Sequence, residues 1–303
     1  MKEENTIFEI TCRTIQGRLL LKPSAQLNKI VLGILGRALT FYPVLLHLVV
    51  VVSNHIHLIV TAKNVALLAR FMCYVNSNLA REAGRLHTWK EKFWGRRYTA
   101  IPILDNGALL KKVKYLLSHG CKEGLVMRPV EWPGVNCVKA LTEDEKLSGV
   151  WYDRSAEYEA RRQAKEYEQT DFESQYEVPL APLPWFDELD SEENKERIMQ
   201  IIEDIEHETH ERLRKERGSV LGVKGVLIQS AHRRPRKAKK SPAPLCHCSS
   251  RQKWFEYRDE YRWFVWLYQV AAKKLRRGIL DVEFPKNCFP PALAFNDPSP
   301  APT

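Results

Sequence analysis

The sequence has few cysteines and no apolar run long enough to cross a membrane. Seven cysteines are scattered along 303 residues, unlike the regular framework of a disulfide-rich secreted domain. The longest apolar run, residues 44–52, is far shorter than the roughly 20 residues of a membrane-spanning helix. The first residues also lack the apolar stretch of a signal peptide. We therefore expect a cytoplasmic protein that makes no membrane contact.

Acidic residues are scarce in the first half of the chain. The net charge is +10, and residues 1–150 carry 21 Lys and Arg against 11 Asp and Glu, whereas residues 151–303 carry 26 of each class. A basic domain attracts polyanions such as nucleic acid, although a basic surface that serves only solubility would have the same composition. With 44% hydrophobic residues the chain can form one or two domains with their own cores.

Apolar periodicity in the first half predicts alternating strands and helices. This order, β-α-β-β-α-β-α, is typical of the α+β class, with a ferredoxin-like antiparallel sheet and helices on one face. The other face would then be free to bind a ligand. Strands are expected at 7–14, 44–52, 55–60 and 98–104, and helices at 25–40, 64–84 and from Asp105 or Asn106 to His119.

Two histidines, His55 and His57, are separated by one residue in a predicted strand. The two-residue period of a strand points both imidazoles to one face, where they can reach the same metal ion. Two packed or solvent-facing histidines would give the same pattern. A Cys-His-Cys grouping at 246–248 lacks a second ligand pair at zinc-finger spacing, so we expect it to be structural or accidental.

A tyrosine, Tyr115, lies on the polar side of the predicted helix that ends near His119. At 100° per residue it is about 200° from Val113, on the side that carries Lys112 and His119. This favours a displayed phenol over a core residue, with an ordinary surface tyrosine as the alternative. The apolar stripe of the same helix consists of Leu109, Leu110, Val113, Leu116 and Leu117.

Cations and aromatic residues are interleaved between residues 81 and 98. Surfaces that bind single-stranded DNA combine phosphate contacts and base stacking in this way, although a solvated basic face would have the same composition. The residues predicted to contact DNA are Arg81, Arg85, Lys92, Arg96, Arg97 and Lys112.

Three segments, in this order, resemble a known family. Residues 50–60 (VVVSNHIHLIV) resemble the Met-Pro-Asn-His-Val-His-Leu-Leu-Val signature of the HUH single-tyrosine transposases, especially of their REP-associated branch. Residues 93–98 (FWGRRY) resemble that family's Trp-Gln-x-Arg-Phe/Tyr segment. Residues 115–133 (YLLSHGCKEGLVMRPVEWP) resemble its tyrosine block, which ends in Trp-Pro.

The resemblance implies an activity and a role for particular residues. His55, His57 and His119 would bind a divalent metal, Mg²⁺ or Mn²⁺, and Tyr115 would attack a DNA phosphate. Such an enzyme would cleave and rejoin single-stranded or hairpin DNA through a 5′-phosphotyrosine, without ATP. A homodimer is one assembly that fits this expectation.

Two departures from the family pattern leave alternatives open. Ser53 stands where the family has proline, and His119-Gly120-Cys121 where it has Asn-Pro-Val. The second change affects the third metal ligand. The main alternative is therefore a catalytically inactive protein, derived from such a transposase, that binds DNA hairpins. A metal-dependent hydrolase of small phosphoesters is a third hypothesis.

Composition and resemblance together divide the chain into three parts. Residues 1–150 would form the catalytic domain, 151–220 a charged helical linker region, and 221–303 a basic, aromatic-rich helical accessory module with a disordered tail. The last helix should bury one broad aromatic face, by docking on the first domain or by binding DNA. Helices are expected at 153–171, 190–218 and 251–278, and a basic run at 233–240.

Overall fold

A four-stranded antiparallel sheet forms the centre of the computed structural model, which describes residues 5–185, 190–235 and 242–292. Two crossover helices, α1 (Ala25–Phe41) and α2 (Val65–Leu86), connect strands that are not neighbours. This is the ferredoxin-like arrangement, so the predicted α+β class is confirmed. The strands are β1 (Thr6–Arg13), β2 (Leu45–Val52), β3 (His55–Ala62) and β4 (Thr99–Pro102), in the order β2-β3-β1-β4.

Two predicted segments lie partly outside the described residues. The basic run at 233–240 is described as far as residue 235, and the expected disordered tail as far as residue 292. The division of the chain into three domains stays a prediction. Among the helices of the described part, none has the length and apolar character that a membrane crossing needs.

Each of the first three long helices begins at a capping side chain. Ser24 accepts a hydrogen bond from the Leu27 amide at the start of α1, and Asn64 caps α2 in the same way. Asp105 accepts from Ala108 at the start of α3 (Asn106–Leu117). These caps satisfy amides that have no partner inside the helix, and so fix where each helix begins.

The two faces of β3 carry different side chains. Ile56 and Leu58 are fully buried, and they alternate with His55 and His57. The second face is not open as predicted, because all eight residues of β3 are buried. Helix α3 and the short α4 (His119–Lys122) cover the histidine face, since His119 contacts both of these histidines.

A long helix, α7 (Ser191–Glu216), packs against α3 and α4. Ile198, Ile201 and Ile205 of α7 are buried and recur at the spacing of one helix face. Arg212 of α7 also donates hydrogen bonds to the carbonyl oxygens of Cys121 and Lys122, at 2.7 and 2.6 Å. Helix α7 therefore packs on the outer side of α3 and α4, the helices that cover the histidine face.

A second sheet, which the sequence does not predict, packs on α1. Strand β5 (Ser148–Tyr152) spans the expected domain boundary at residue 150 and pairs antiparallel with β6 (Glu173–Glu177). The helix predicted at 153–171 is wrong beyond residue 162, where α6 (Arg154–Arg162) ends. Helix α6 has no buried residue, so no apolar face stabilises it.

The remaining described helices are α5 (Val138–Thr142), α8 (Gly222–Ile228) and α9 (Arg251–Arg276). The expectation that α9 buries one broad face is wrong for the described residues. Only Ala271 and Ala272 of α9 are buried there, whereas Trp263 and Trp266 are more than half exposed and stack on each other. Its aromatic residues surround the helix axis, so one face cannot cover them all.

Glycine makes the contact between α1 and β5 possible. A Cβ on Gly33 would lie 2.2 Å from the carbonyl carbon of Val150, and one on Gly149 would lie 2.2 Å from the amide nitrogen of Gly33. Both distances are far inside van der Waals contact. The backbones of helix and strand therefore touch, and only glycine fits at the crossing.

We predict that Gly33→Ala destabilises the protein, although alanine normally favours a helix by roughly 1 kcal/mol over glycine. Overpacking against Val150 should cost about 1–3 kcal/mol, which outweighs this gain. A lower midpoint of urea unfolding would show this loss of stability. Gly218→Ala is the matched control, because its new Cβ would lie 3.5 Å from the nearest atom, on Leu213. An unchanged midpoint for Gly33→Ala would contradict the close contact.

Candidate functional site

Three imidazoles meet between β3 and the start of α4. The Nε2 atom of His119 lies 2.8 Å from Nε2 of His55 and 2.8 Å from Nε2 of His57. All three side chains are buried, at 8%, 4% and 3% exposure for His55, His57 and His119. The structure thus brings together the three histidines that the sequence analysis grouped as metal ligands.

An amide fixes the orientation of His55. The Nδ1 atom of this ring lies 2.6 Å from Oδ1 of Asn54. The Nδ2 atom of the same amide donates to the carbonyl of Gly17 at 3.1 Å, so the amide oxygen is the atom that faces the imidazole. The oxygen accepts a hydrogen bond from the Nδ1–H group, so Nδ1 carries the ring proton and Nε2 keeps a lone pair.

A carboxylate and a hydroxyl fix His57 in the same tautomer. Its Nδ1 atom lies 3.4 Å from Oε1 of Glu9 and 3.1 Å from Oγ1 of Thr11. Thr11 itself donates to Glu9 at 3.4 Å, so its oxygen can accept from the ring. The Nε2 lone pair of His57 therefore also points at the centre of the cluster.

The electrostatics of the cluster keep its imidazoles neutral. Burial lowers the pKa of His55 and of His57, and it is the largest cause in both cases. Burial, with repulsion from His57 and Lys122, lowers the pKa of His119 to about 2. Neutral imidazole is the form that binds metals.

The donor set fits a divalent cation. The buried Nε2 atoms of His55, His57 and His119 converge. The outer hydrogen bonds of His55 and His57 leave a lone pair on each of their Nε2 atoms. The one proton that Nε2 of His119 can carry cannot form a full hydrogen bond with both lone pairs. In the described part of the chain, Nδ1 of His119 has no hydrogen-bond partner. Within that part, His55, His57 and His119 also form the one group of three or more ligating side chains that could hold a metal ion.

The tyrosine is displayed beside this cluster. Tyr115 is 41% exposed, as its position on the polar side of α3 predicts. Its ring centroid lies 5.0 Å from that of His119 and 6.3 Å from that of His57. Two ammonium groups approach the ring, Lys122 at 3.4 Å and Lys112 at 4.8 Å from the centroid. The phenol thus lies next to both the histidines and positive charge.

A buried carboxylate connects the histidines to other parts of the chain. Oε2 of Glu9 lies 3.1 Å from Nζ of Lys112 and 2.7 Å from Nε2 of His247. Burial alone would raise the pKa of Glu9. Hydrogen bonds from His247 and His57 and the charge of Lys112 outweigh burial, and the pKa falls well below its usual range. Glu9 is therefore an anion.

Sequence reasoning missed Glu9, Arg13 and His247. The first two had a local signal, since Glu9, Thr11 and Arg13 alternate on β1 and therefore share one face. In the antiparallel register Thr11 is opposite His57 and Arg13 is opposite His55, so that face is the histidine face. His247 is 238 residues from Glu9 in the sequence and had no such signal.

The residues predicted to contact DNA are not all in the same surroundings. Lys112 contacts Glu9 and Tyr115, next to the histidine cluster. The other five are exposed: Arg81 and Arg85 bond within α2 to Asn78 and Glu82, and Arg97 lies over the ring of Tyr98, with Lys92 and Arg96 nearby in the chain.

The segment that contains Arg96 and Arg97 is tied to the end of β1. The amide of Ile15 donates to the carbonyl of Phe93 at 2.7 Å, and the amide of Gly95 donates to the carbonyl of Arg13 at 2.9 Å. Because Arg13 is opposite His55, these bonds hold the basic segment at the same end of the sheet as the histidines.

The Cys-His-Cys grouping does not form a metal site with other described side chains. Cys246 and Cys248 have their sulfur atoms 3.9 Å apart, and His247 between them turns toward Glu9 instead. The expectation that this grouping is structural or accidental stays a prediction.

No family model matches the chain, and no curated protein matches it significantly in sequence. A solved structure of a REP-associated tyrosine transposase bound to a REP hairpin is similar, with a TM-score of 0.38 and 15% identity over 44% of this chain and 77% of that chain. A Deinococcus radiodurans R1 protein assigned as a transposase is also similar, with a TM-score of 0.29 and 14% identity over 36% of this chain and 86% of that chain.

We predict that a divalent cation stabilises the protein through the three histidines. A ligand that binds only the folded state at 100 times its Kd contributes roughly 2.7 kcal/mol, a rise in Tm on the order of 5 °C. Mn²⁺ should therefore raise the Tm of the wild type and of His210→Ala, an exposed histidine on α7. His119→Ala should lose the rise, and an equal rise in that variant would assign Mn²⁺ to another site.

Proposed function

We propose that the protein is a metal-dependent single-tyrosine DNA transposase, which cleaves and rejoins single-stranded DNA. One observation carries this proposal: Tyr115 is exposed beside a buried cluster of three imidazoles, with its ring 5.0 Å from that of His119. A nucleophile next to a cation site is what phosphoryl transfer requires, because the reaction depends on positioning and on stabilisation of charge. The segments that resemble HUH transposase motifs contain Tyr115 and two of the imidazoles, those of His55 and His57, whereas His119 stands where the family has asparagine.

The chain supplies the nucleophile and the positive charge. The Tyr115 oxygen attacks the phosphorus and gives up its proton, and the bond from phosphorus to the 3′ oxygen breaks. That oxygen leaves with the bonding electrons and takes up a proton, so the 5′ phosphate stays on the tyrosine as an ester. The ester conserves the energy of the broken bond, so the reverse attack by a 3′ hydroxyl rejoins DNA without ATP.

Lys112 and Lys122 have a separate role in this mechanism. Their ammonium groups lie against the tyrosine ring, where the negative charge of a bound phosphate would come. Fixed positive charge at that position favours phosphate binding and stabilises the charge that develops on its oxygens. A divalent cation held by His55, His57 and His119 would polarise a non-bridging oxygen of the same phosphate.

Two considerations bear on the identity of the cation, and they favour different metals. The family resemblance implies Mg²⁺ or Mn²⁺. Three imidazoles favour transition metals over Mg²⁺, which prefers oxygen ligands. Mn²⁺ satisfies both considerations, so we propose Mn²⁺ as the cation to supply first, with Mg²⁺ for comparison.

The proposed substrate is single-stranded DNA that contains a hairpin. Support comes from the basic segment beside the cluster, where Arg96 and Arg97 follow Trp94, since cations and aromatic rings together bind unpaired strands. The similar REP-associated transposase is bound to a REP hairpin, which suggests this probe. The homodimer stays a prediction.

We predict that Tyr115→Phe abolishes formation of a covalent protein–DNA adduct. The wild type, incubated with 5′-labelled and 3′-labelled hairpin DNA and Mn²⁺, should retain the strand on the 3′ side of the break as a shifted band on a denaturing gel. The Phe variant lacks the attacking oxygen but keeps the ring and its contacts. Tyr98→Phe is the matched control, since Tyr98 also lies near a cation, Arg97, and should react like the wild type.

The same assay distinguishes the alternatives. An adduct in Tyr115→Phe that disappears in Tyr98→Phe would make Tyr98 the nucleophile. Tight hairpin binding by the wild type without an adduct under Mn²⁺ or Mg²⁺ would favour the inactive hairpin-binding protein. Turnover of a small phosphoester without DNA would favour the hydrolase hypothesis.

We predict that Lys122→Gln weakens DNA binding, with a loss that depends on salt. Removal of one phosphate contact should reduce the slope of log affinity against log salt by about 1. Fluorescence anisotropy with a labelled hairpin at several salt concentrations measures this slope. Lys29→Gln, an exposed lysine on α1, removes the same charge elsewhere and is the control. Equal slopes for the two variants would rule out a phosphate contact at Lys122.

A further inference from the structure

The segment before α9 extends the central sheet. The amide of His247 donates to the carbonyl of Pro102 at 2.8 Å, and the amide of Leu104 donates to the carbonyl of His247 at 2.9 Å. These bonds form a parallel bridge between His247 and Ile103, at the end of β4. A piece of chain from the second half is therefore docked on the edge of the central sheet.

The side chain of His247 reaches the histidine cluster through one intermediary. Its Nε2 atom donates to Oε2 of Glu9 at 2.7 Å, and the other oxygen of Glu9 faces Nδ1 of His57 at 3.4 Å. Glu9 is buried and His247 is largely shielded from solvent, with side-chain exposures of 5% and 10%. A continuous polar chain thus runs from the docked segment to a proposed metal ligand.

A second contact docks the same segment without reaching the cluster. The amide and hydroxyl of Ser249 donate to the two carboxylate oxygens of Asp105, at 2.9 and 2.7 Å. Asp105 caps α3, the helix that carries Tyr115. Ser249 and His247 therefore share the docking of one segment, but among their hydrogen bonds only that of His247 leads to His57.

We propose that His247 couples the docking of residues 246–250 to the cation affinity of the histidine cluster, with Glu9 as the positioning residue between them. A carboxylate that bonds to a ligating histidine fixes its ring and strengthens it as a ligand, and loss of such a partner typically costs 10–100-fold in metal affinity. His247 in turn holds Glu9 in place. This inference rests on the proposed metal site.

Coupling between two sites is reciprocal. If the docked segment raises the affinity for a cation, the cation must stabilise the docked segment by the same factor. Cation affinity and the stability of the docked segment therefore measure the same coupling free energy independently. The second can be compared in the wild type with and without the cation, so it needs no substitution.

The first measurement is Co²⁺ binding to the full chain, followed by visible absorption and by competition with a chromophoric chelator. We expect His247→Ala to bind Co²⁺ at least about 10-fold more weakly than the wild type, with an altered absorption band. His247→Gln keeps a donor for Glu9 and should recover most of the affinity. Ser249→Ala, the matched control, should stay within about threefold of the wild type.

The second measurement is amide hydrogen exchange in the wild type with and without Co²⁺. Exchange of Leu104 and of residues 246–250 should slow when Co²⁺ binds. The same slowing should occur in Ser249→Ala and be lost in His247→Ala. This comparison in the wild type stands even where a variant fails to fold.

Unchanged Co²⁺ affinity in His247→Ala, or exchange at 246–250 that is insensitive to Co²⁺ in the wild type, would overturn the coupling while leaving the metal site intact. A wild type that binds Co²⁺ no better than His119→Ala would overturn the metal site and the coupling together. A Ser249→Ala loss as large as that of His247→Ala would also contradict the proposal, because docking alone would then account for the effect.

Discussion

The convergence of three imidazole nitrogens on one buried point is the constraint on which the rest of the site depends. Strand β3 must keep its register, because a slip of one residue would turn His55 and His57 to the opposite face. The third nitrogen requires that α3 end at Leu117 and that His119 begin a new turn over the sheet. Packing of α7 behind α3 and α4 then holds that turn against β3.

The Nδ1 atoms of the three rings, which point away from the centre of the cluster, differ in their hydrogen-bond partners. An amide oxygen accepts from His55, a charged carboxylate faces His57, and in the described structure Nδ1 of His119 has no partner. A carboxylate makes the opposite ring nitrogen a better electron donor than an amide does. His57 should therefore be the strongest of the three ligands.

Local patterns in the sequence predict the parts of this site that lie close together in the chain. The two-residue period of a strand pairs His55 with His57, and the helix period puts Tyr115 on the polar side, because both depend only on neighbouring residues. The bond between Glu9 and His247 depends on tertiary structure and has no local pattern. The same holds for β6, whose sequence Glu-Ser-Gln-Tyr-Glu has no apolar alternation and forms a strand only by pairing with β5.

The charge of the first half is also redistributed by the fold. Its excess of Lys and Arg suggests one broad basic surface, yet α7 supplies carboxylates to part of it: Lys114 bonds to Asp204 and Glu208, and Arg128 bonds to Glu206. These ion pairs are solvent-exposed, so they contribute little to stability. They do neutralise positive charge on the side that contacts α7, whereas Lys122 lies over the ring of Tyr115. Lys122 thus places a positive charge beside the tyrosine, where a phosphate would have to bind for the proposed reaction.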